Sequence, residues 1–384
     1  MKKRKEEYRD EYSPKVYFIT GGATGGHIYP ALAVANELRK QTSTKKVYYT
    51  GHPENLEYEI FTRAGFEFLP VKVSAMPRKI DFEFVKCLAQ LFAAVMQTIG
   101  YIIKYKPNAI FMTGGYVSAP AVVAANILKT PYMMHDSDAY PGIVSKKSAK
   151  NAKVVSIAFE EAKNHLASKR IILNGNPIRE SFSTITKNEA KKILGIKNKT
   201  TLLIMGGSQG AQSVNDVICD IMPNLIEYYG LQVIFQTGAK NYEKALGYLE
   251  TNHAKFKKWI EKRNLIIEPY FDEMSIPLRA ADLAISRAGA LSISEMNLCG
   301  LPSILVPYPH AAADHQTKNA LAMQEEGAAI CIADDEKLKE NLTKTIDMLA
   351  YKPELLKTMK AHALSLAKYD ATAKITQQLI GIAK

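Results

Sequence analysis

Apolar and polar positions along this chain switch repeatedly between a period near two and a period near 3.6. Short runs rich in β-branched and aromatic residues fall at 16–20, 46–50, 66–71, 109–113, 131–135, 154–157 and 171–173, separated by helical patterns. That alternation predicts a mostly parallel sheet with helices on both faces. The turn-rich stretch Asn174-Gly175-Asn176-Pro177 then marks a hinge, after which the pattern restarts. Strands are expected at 201–205, 232–236, 265–268, 282–285, 303–306 and 329–332, and a last helix near 372–383. The chain therefore reads as a charged tail over 1–14 and two doubly wound α/β domains facing one another, 15–175 and 176–369. The terminal helix, about 370–384, is expected to cross the hinge and pack back on the first domain.

The first strand breaks into Gly21-Gly22-Ala23-Thr24-Gly25-Gly26-His27, and helical spacing resumes from Ile28. Strand, glycine loop and helix together aim backbone N–H groups and a partial positive charge at an anion. A glycine turn needed only for tight packing would look similar, but four glycines in six residues favour a phosphate or sugar ligand. No Gly-Lys-Ser/Thr follows, the glycines miss the Gly-x-Gly-x-x-Gly spacing, and no acidic residue ends the second strand. A nicotinamide cofactor is therefore disfavoured. His27 stands at the loop mouth, where it can take a proton near neutral pH. A second loop, Thr113-Gly114-Gly115-Tyr116, and the segment His135-Asp136-Ser137-Asp138 also end strands. By the rule that open α/β sheets bind ligands beyond strand C-termini, they line one cleft with His27.

In the second half, Gly206-Gly207-Ser208-Gln209-Gly210 repeats the strand–glycine–helix design. Ser286-Arg287-Ala288-Gly289-Ala290 leads into a helix whose first turn, with the Ser292 hydroxyl, suits a phosphate. Glu295, one turn in, can accept two hydrogen bonds from a ribose diol. Gln316 suits sugar hydroxyls, because an amide both donates and accepts. Tyr270 and Phe271 would wall a base or serve as ordinary core aromatics. His310, Asp314 and His315 lie in a Pro- and Ala-rich loop whose spacing does not place two imidazoles on one helix face, so no metal site is assigned.

At 384 residues the chain can hold two full cores, and 47% hydrophobic with 23% charged content is ordinary for a globular protein. The four cysteines are scattered in apolar runs, as in a reducing compartment, and the N-terminus has no apolar signal core. A net charge of +12 calls for an anionic partner. Nucleic acid is one candidate, though no aromatic-interleaved or recognition-helix pattern points to it; an anionic membrane face is the other, and composition alone does not choose between them. The helix expected over 80–105 is apolar beyond one stripe, with Arg78, Lys79 and Lys86 at its start. It reads either as a long helix packed on the sheet or as one whose first turn and preceding loop (Met76, Ile80, Phe82, Phe84) dip into a bilayer, two readings compatible on different faces.

Six segments in fixed order, GGATGGHIYPALAVA, MTGGYVSAP, NGNPIR, MGGSQGAQSVN, SRAGALSISE and PYPHAAADHQTKNA, resemble the MurG family, the bacterial UDP-N-acetylglucosamine transferases that complete the lipid-linked peptidoglycan precursor. The resemblance spans roughly residues 15–380. It implies a GT-B fold, two Rossmann-like domains facing a central cleft, and inverting transfer without a metal or cofactor. The donor would be UDP-N-acetylglucosamine and the acceptor the 4-hydroxyl of the muramyl sugar of undecaprenyl-diphosphate-linked muramyl-peptide. The enzyme would sit peripherally on the cytoplasmic face of the inner membrane.

The resemblance places Arg179 and Ser208 near the donor diphosphate, Tyr270 and Phe271 at the uracil, and Leu291 and Ser292 at the helix start. Glu295 falls on the ribose and Gln316, with His315, on the sugar. His27 would be the base, and Thr24, Gly25, Gly26, Gly114, Gly115, Tyr116, His135 and Asp138 would serve the acceptor. Two departures stand out: His135-Asp136-Ser137-Asp138 replaces the common His-Glu-Gln-Asn, and Ala288 replaces a usual serine. A diacylglycerol glycosyltransferase of similar architecture and a catalytically silent membrane scaffold are the alternatives.

Overall fold

The computed structural model describes residues 14–77, 81–178, 182, 185–207 and 210–384. Residues 1–13 of the expected tail, and Arg78, Lys79 and Ile80 of the expected membrane contact, lie outside the described residues. The chain forms two compact units, Met1–Ile178 with Asp370–Lys384, and Arg179–Tyr369.

The first unit holds strands β1 (Lys15–Thr20), β2 (Thr44–Gly51), β3 (Glu67–Pro70), β4 (Ala109–Met112), β5 (Tyr132–Asp136), β6 (Val154–Ile157) and β7 (Ile171–Leu173). They lie in the order 3-2-1-4-5-6-7, every pair parallel. The second unit holds β8 (Thr201–Met205), β9 (Gln232–Gln236), β10 (Leu265–Glu268), β11 (Leu283–Ser286), β12 (Ser303–Leu305) and β13 (Ala329–Cys331). Their order is 10-9-8-11-12-13, again all parallel. The direction of strand addition reverses between β1 and β4 in one sheet and between β8 and β11 in the other. Open parallel sheets take ligands at such points, beyond the strand C-termini.

Helices cover both faces, so the central strands are apolar throughout rather than alternating. The pleat then sorts them. Tyr17, Ile19, Phe111 and Met133 face one layer, while Phe18, Ile110, Met112 and Met134 face the other. The terminal helix Ala371–Ile382 puts Ile375 and Leu379 into the Tyr17 layer. Gln378 exchanges hydrogen bonds with Asn174 at 2.9 and 3.0 Å. The turn residues Asn174 and Asn176 are themselves buried, their side chains bonded to Ser156, His135 and Ser137 in the first unit.

Two helix boundaries differ from the periodic pattern for local reasons. The helix after the second glycine loop begins as a 3-10 turn, Tyr116–Ser118, before Ala119–Leu128, with Pro120 in the first turn where a missing N–H costs nothing. The helix after the glycines 206–210 runs regularly only over Gln212–Pro223 and continues as a π turn, Asn224–Tyr228. Pro223 has no N–H for the Cys219 carbonyl, which accepts from His253 Nε2 instead at 2.8 Å.

Candidate active site

Both switch points are built from strand ends that carry glycine. In the first unit, Thr20 and Met112 are paired neighbours at the ends of β1 and β4. The loops that follow come so close that a Cβ on Gly115 would stand 2.5 Å from the Gly22 carbonyl oxygen. Gly114 and Gly115 hold φ of +94° and +75°, a region L side chains rarely enter. Gly25 and Gly26 are different. A Cβ there would meet only Tyr29 at 3.3 Å or Thr24 at 3.7 Å. Packing within the chain therefore does not demand their glycines, which fits an outside group approaching the backbone.

Helix α1 (Gly25–Lys40) starts in this loop, with Thr24 at its N-cap. The Thr24 hydroxyl makes no cap bond; it lies 3.1 Å from His27 Nδ1. The same nitrogen is 3.2 Å from the Gly22 carbonyl oxygen. A carbonyl only accepts, so Nδ1 carries the proton and Nε2 the lone pair. Thr113 Oγ1 donates to the His27 carbonyl at 2.7 Å, joining the two loops again. Tyr116 follows the second loop, and its hydroxyl accepts from Asn55 Nδ2 at 3.3 Å.

The His135–Asp138 segment ends β5. His135 is fully buried, with Nδ1 3.0 Å from Ser156 Oγ and Nε2 2.9 Å from Asn176 Oδ1. Burial lowers its pKa to about 4, with the Asn176 bond working the other way and His27 adding to the fall. The imidazole is thus a neutral brace between strands. Burial raises Asp136 to about 6, against the pull of the Ser145 hydroxyl bond and with the help of Asp138. Asp138 is half-buried, and its N–H donates to Asp136 Oδ1 at 3.2 Å.

In the second unit the ends of β8 and β11 pair through Met205 and Ser286. Helix α2 (Ala290–Leu298) begins after Gly289, which brings no side-chain cap. Leu291, Ser292 and Glu295 lie half-buried on its first two turns. Phe271 N–H donates to Gln236 Oε1 at 3.1 Å, and Tyr270 is 42% exposed beside it, within reach of a planar ligand. Gln316 Oε1 accepts from the Tyr308 N–H at 2.9 Å, so its amide presents the donor end. His315 Nδ1 donates to the Ala312 carbonyl at 2.7 Å. Arg179 and Ser208 lie outside the described residues. Among the described residues, no three His, Cys, Asp or Glu side chains gather as a metal site.

Three features escape the sequence pattern. Arg287 is buried and pairs with Asp334 at 2.7 Å. Its guanidinium also donates to the Val306 and Pro307 carbonyls at 3.1 Å and to Ser213 Oγ at 3.1 Å, fastening the ends of β11 and β12 to the segment after β13 and to the helix Gln212–Pro223. Asn319 Nδ2 holds the Ala288 carbonyl at 3.1 Å. Ala313 and Asp314 both adopt positive φ, +52° and +56°, just before His315 and Gln316. Non-glycine residues in that region cluster at functional sites. Nothing in composition or spacing distinguishes Arg287, Ala313 and Asp314 from ordinary loop positions, or Asn319 from an ordinary position of the helix His315–Glu325.

Residues 17–157 match the glycosyltransferase family 28 N-terminal domain, and 201–375 its C-terminal domain. The two parallel doubly wound sheets, each with a glycine-lined switch point, define a glycosyltransferase of the GT-B fold. A UDP-N-acetylglucosamine–N-acetylmuramyl-(pentapeptide) pyrophosphoryl-undecaprenol N-acetylglucosamine transferase of Desulforamulus reducens is 36% identical over 359 residues, 93% of this chain and 96% of that protein. Its Bacillus subtilis namesake is 34% identical over 358 residues, with the same coverage. The crystal structure of Acinetobacter baumannii MurG aligns with a TM-score of 0.75 at 25% identity, over 95% of this chain and 98% of that one. A UDP-glucosyltransferase from Polygonum tinctorium shares the fold, with a TM-score of 0.69 at 13% identity. The chain belongs to the MurG family.

The buried pair at the end of β5 has a measurable signature. Asp136 binds its proton more tightly folded than unfolded, so its contribution to stability is lost as pH rises through about 6. His135 behaves oppositely: its contribution is present above about 6.5 and lost as pH falls through about 4. Asp136→Asn removes only the first effect. Its thermal stability relative to the parent should therefore improve as pH is raised from about 4 to about 7. A difference that does not vary with pH in melting curves would contradict the assignment.

Proposed function

We propose that this chain transfers N-acetylglucosamine from UDP-N-acetylglucosamine to the 4-hydroxyl of the muramyl sugar of undecaprenyl-diphosphate-linked muramyl-peptide, converting lipid I to lipid II. The observation that carries the site assignment is His27. Its Nδ1–H is tied to the Gly22 carbonyl, and its ring lies against Gly114 and Gly115 at the switch point.

The chemistry is a single inverting displacement. The acceptor oxygen attacks the anomeric carbon, the bond to UDP breaks with its electron pair leaving on the β-phosphate, and the hydroxyl proton passes to His27 Nε2. Gly25, Gly26, Gly114 and Gly115 receive the acceptor diphosphate on backbone N–H groups, and Thr24, Tyr116 and Asp138 border it. His135 serves that half from behind, by bracing the strand that ends in Asp138. The start of α2, with Leu291 and Ser292, stabilises charge on the departing UDP, and the resemblance adds Arg179 and Ser208 there. Glu295 takes the ribose, Gln316 and His315 the sugar, and Tyr270 and Phe271 the uracil.

Steady-state kinetics separate the two halves. His27→Ala should lower kcat by about 10²–10⁴-fold with the KM for UDP-N-acetylglucosamine nearly kept. Glu295→Ala should weaken UDP binding by roughly 1–3 kcal/mol. An unchanged kcat in the first variant, or unchanged UDP affinity in the second, would remove that residue from its role.

The acceptor's lipid tail confines the reaction to a membrane, for which we assign the cytoplasmic face. Helix Phe82–Tyr105 is long and apolar enough to cross a membrane by length and composition, with 28% of its apolar window buried. It is two-faced, however: Cys87, Ala94, Val95, Thr98 and Ile102 turn inward, while Phe82 is 80% and Phe92 69% exposed beside Val85, Leu88 and Met96. A helix of this kind lies along a bilayer surface with its apolar side in the lipid. Combined Phe82→Glu and Phe92→Glu changes should abolish most co-sedimentation with vesicles of anionic phospholipid. Undiminished binding would place the membrane contact elsewhere.

A further inference from the structure

Glu57 has no solvent exposure, although it sits in the first turn of a surface helix, Leu56–Arg63. Its carboxylate is turned beneath the first glycine loop, where both oxygens accept. Oε2 takes the Ala23 N–H at 3.3 Å, and Oε1 takes the His52 N–H at 3.3 Å and Asn55 Nδ2 at 3.2 Å. The fit leaves no room for a larger loop residue: a Cβ on Gly22 would fall 2.6 Å from Oε1. Ala23 itself carries φ of +73°, a conformation that its side chain disfavours. The hydrogen bond from Ala23 N–H to Glu57 therefore holds a strained residue in place.

That residue adjoins the carbonyl that orients the imidazole, since Gly22 O accepts from His27 Nδ1 at 3.2 Å. Tyr49 supports the same segment through its hydroxyl bond to the Gly21 carbonyl. Asn55 extends the support to the second loop, because its amide also reaches the Tyr116 hydroxyl at 3.3 Å. One buried carboxylate thus ties together the loop that carries His27 and the residue that follows Gly114–Gly115.

We infer that Glu57 is a positioning residue for transfer, holding the Gly22–Ala23 peptide so that the Gly22 carbonyl aims His27 at the acceptor hydroxyl. This rests on the assignment of His27 as the base. Glutamine cannot replace Glu57, because its NH2 would face N–H donors on one side.

The test is a set of variants assayed at saturating UDP-N-acetylglucosamine with the lipid-linked acceptor, alongside thermal melting. Glu57→Gln should lower kcat on the order of 10²-fold, the scale of a displaced catalytic group, with the KM for UDP-N-acetylglucosamine within about twofold of the parent. Glycine accepts φ near +73° without restraint. The loss caused by Glu57→Gln should therefore shrink at least about tenfold when it is made in an Ala23→Gly chain. In a His27→Ala chain, Glu57→Gln should cost little more. Should Glu57→Gln not fold, Glu57→Asp, whose carboxylate is one methylene short of Ala23, takes its place in the same cycles. A full loss in both the Ala23→Gly and His27→Ala chains, or no loss of kcat in the parent, would overturn the role of Glu57. A normal rate in His27→Ala alone would instead overturn the base assignment beneath it.

Discussion

The first unit of this enzyme depends on one close approach of bare backbone. Gly115 comes so near the Gly22 carbonyl that any side chain on it would collide. That closeness lets the loops ending β1 and β4 share a single edge of the sheet. The same carbonyl fixes the His27 tautomer, and Thr113 bonds to the His27 backbone from the other loop. Steric exclusion, hydrogen bonding and the start of α1 therefore converge on one imidazole. The order of strands puts this cluster at the switch point, where neighbouring crossovers diverge and leave the strand ends uncovered.

The second unit meets the same topological requirement with an added fastening. Around its switch point bare backbone is again close, a Cβ on Gly210 falling 2.3 Å from the Thr237 carbonyl oxygen, and a buried cation is added: Arg287, neutralised by Asp334, gathers the ends of β11, β12 and the neighbouring segments. A buried charge tolerates that position only when it is paired and its donors are used. The strain stored at Ala313 and Asp314 falls in the loop leading to His315 and Gln316. The second unit is thus held from inside, while its Leu291, Ser292 and Glu295 stay half-buried.

Much of this was legible in the chain itself. The run Val16–Thr20 announces a buried strand because β1 is covered on both faces, and all thirteen described strands overlap a predicted apolar run. Glycine spacing located both switch points, since glycine is required where backbones meet. The chain was less informative where a single side chain chooses its direction. Glu57 looks like any acid near a helix N-terminus, Arg287 like any loop cation and His135 like a ligand contact, yet all three turn inward. Local pattern cannot separate a buried carboxylate that anchors a loop from a solvated one that complements a helix dipole. Pro223 likewise gave no sign that its missing N–H would hand the Cys219 carbonyl to His253.

In the proposed reaction the chemistry divides between two strand-end sites, with the sugar nucleotide on the second unit and the acceptor diphosphate on the first. A crystal structure of the protein with UDP-N-acetylglucosamine tests that division most directly. The predicted density has the diphosphate at the start of α2, beyond the ends of β8 and β11, with the ribose hydroxyls on Glu295. Nucleotide density on the Gly21–Gly26 loop of the first unit, with the start of α2 bare, would contradict it.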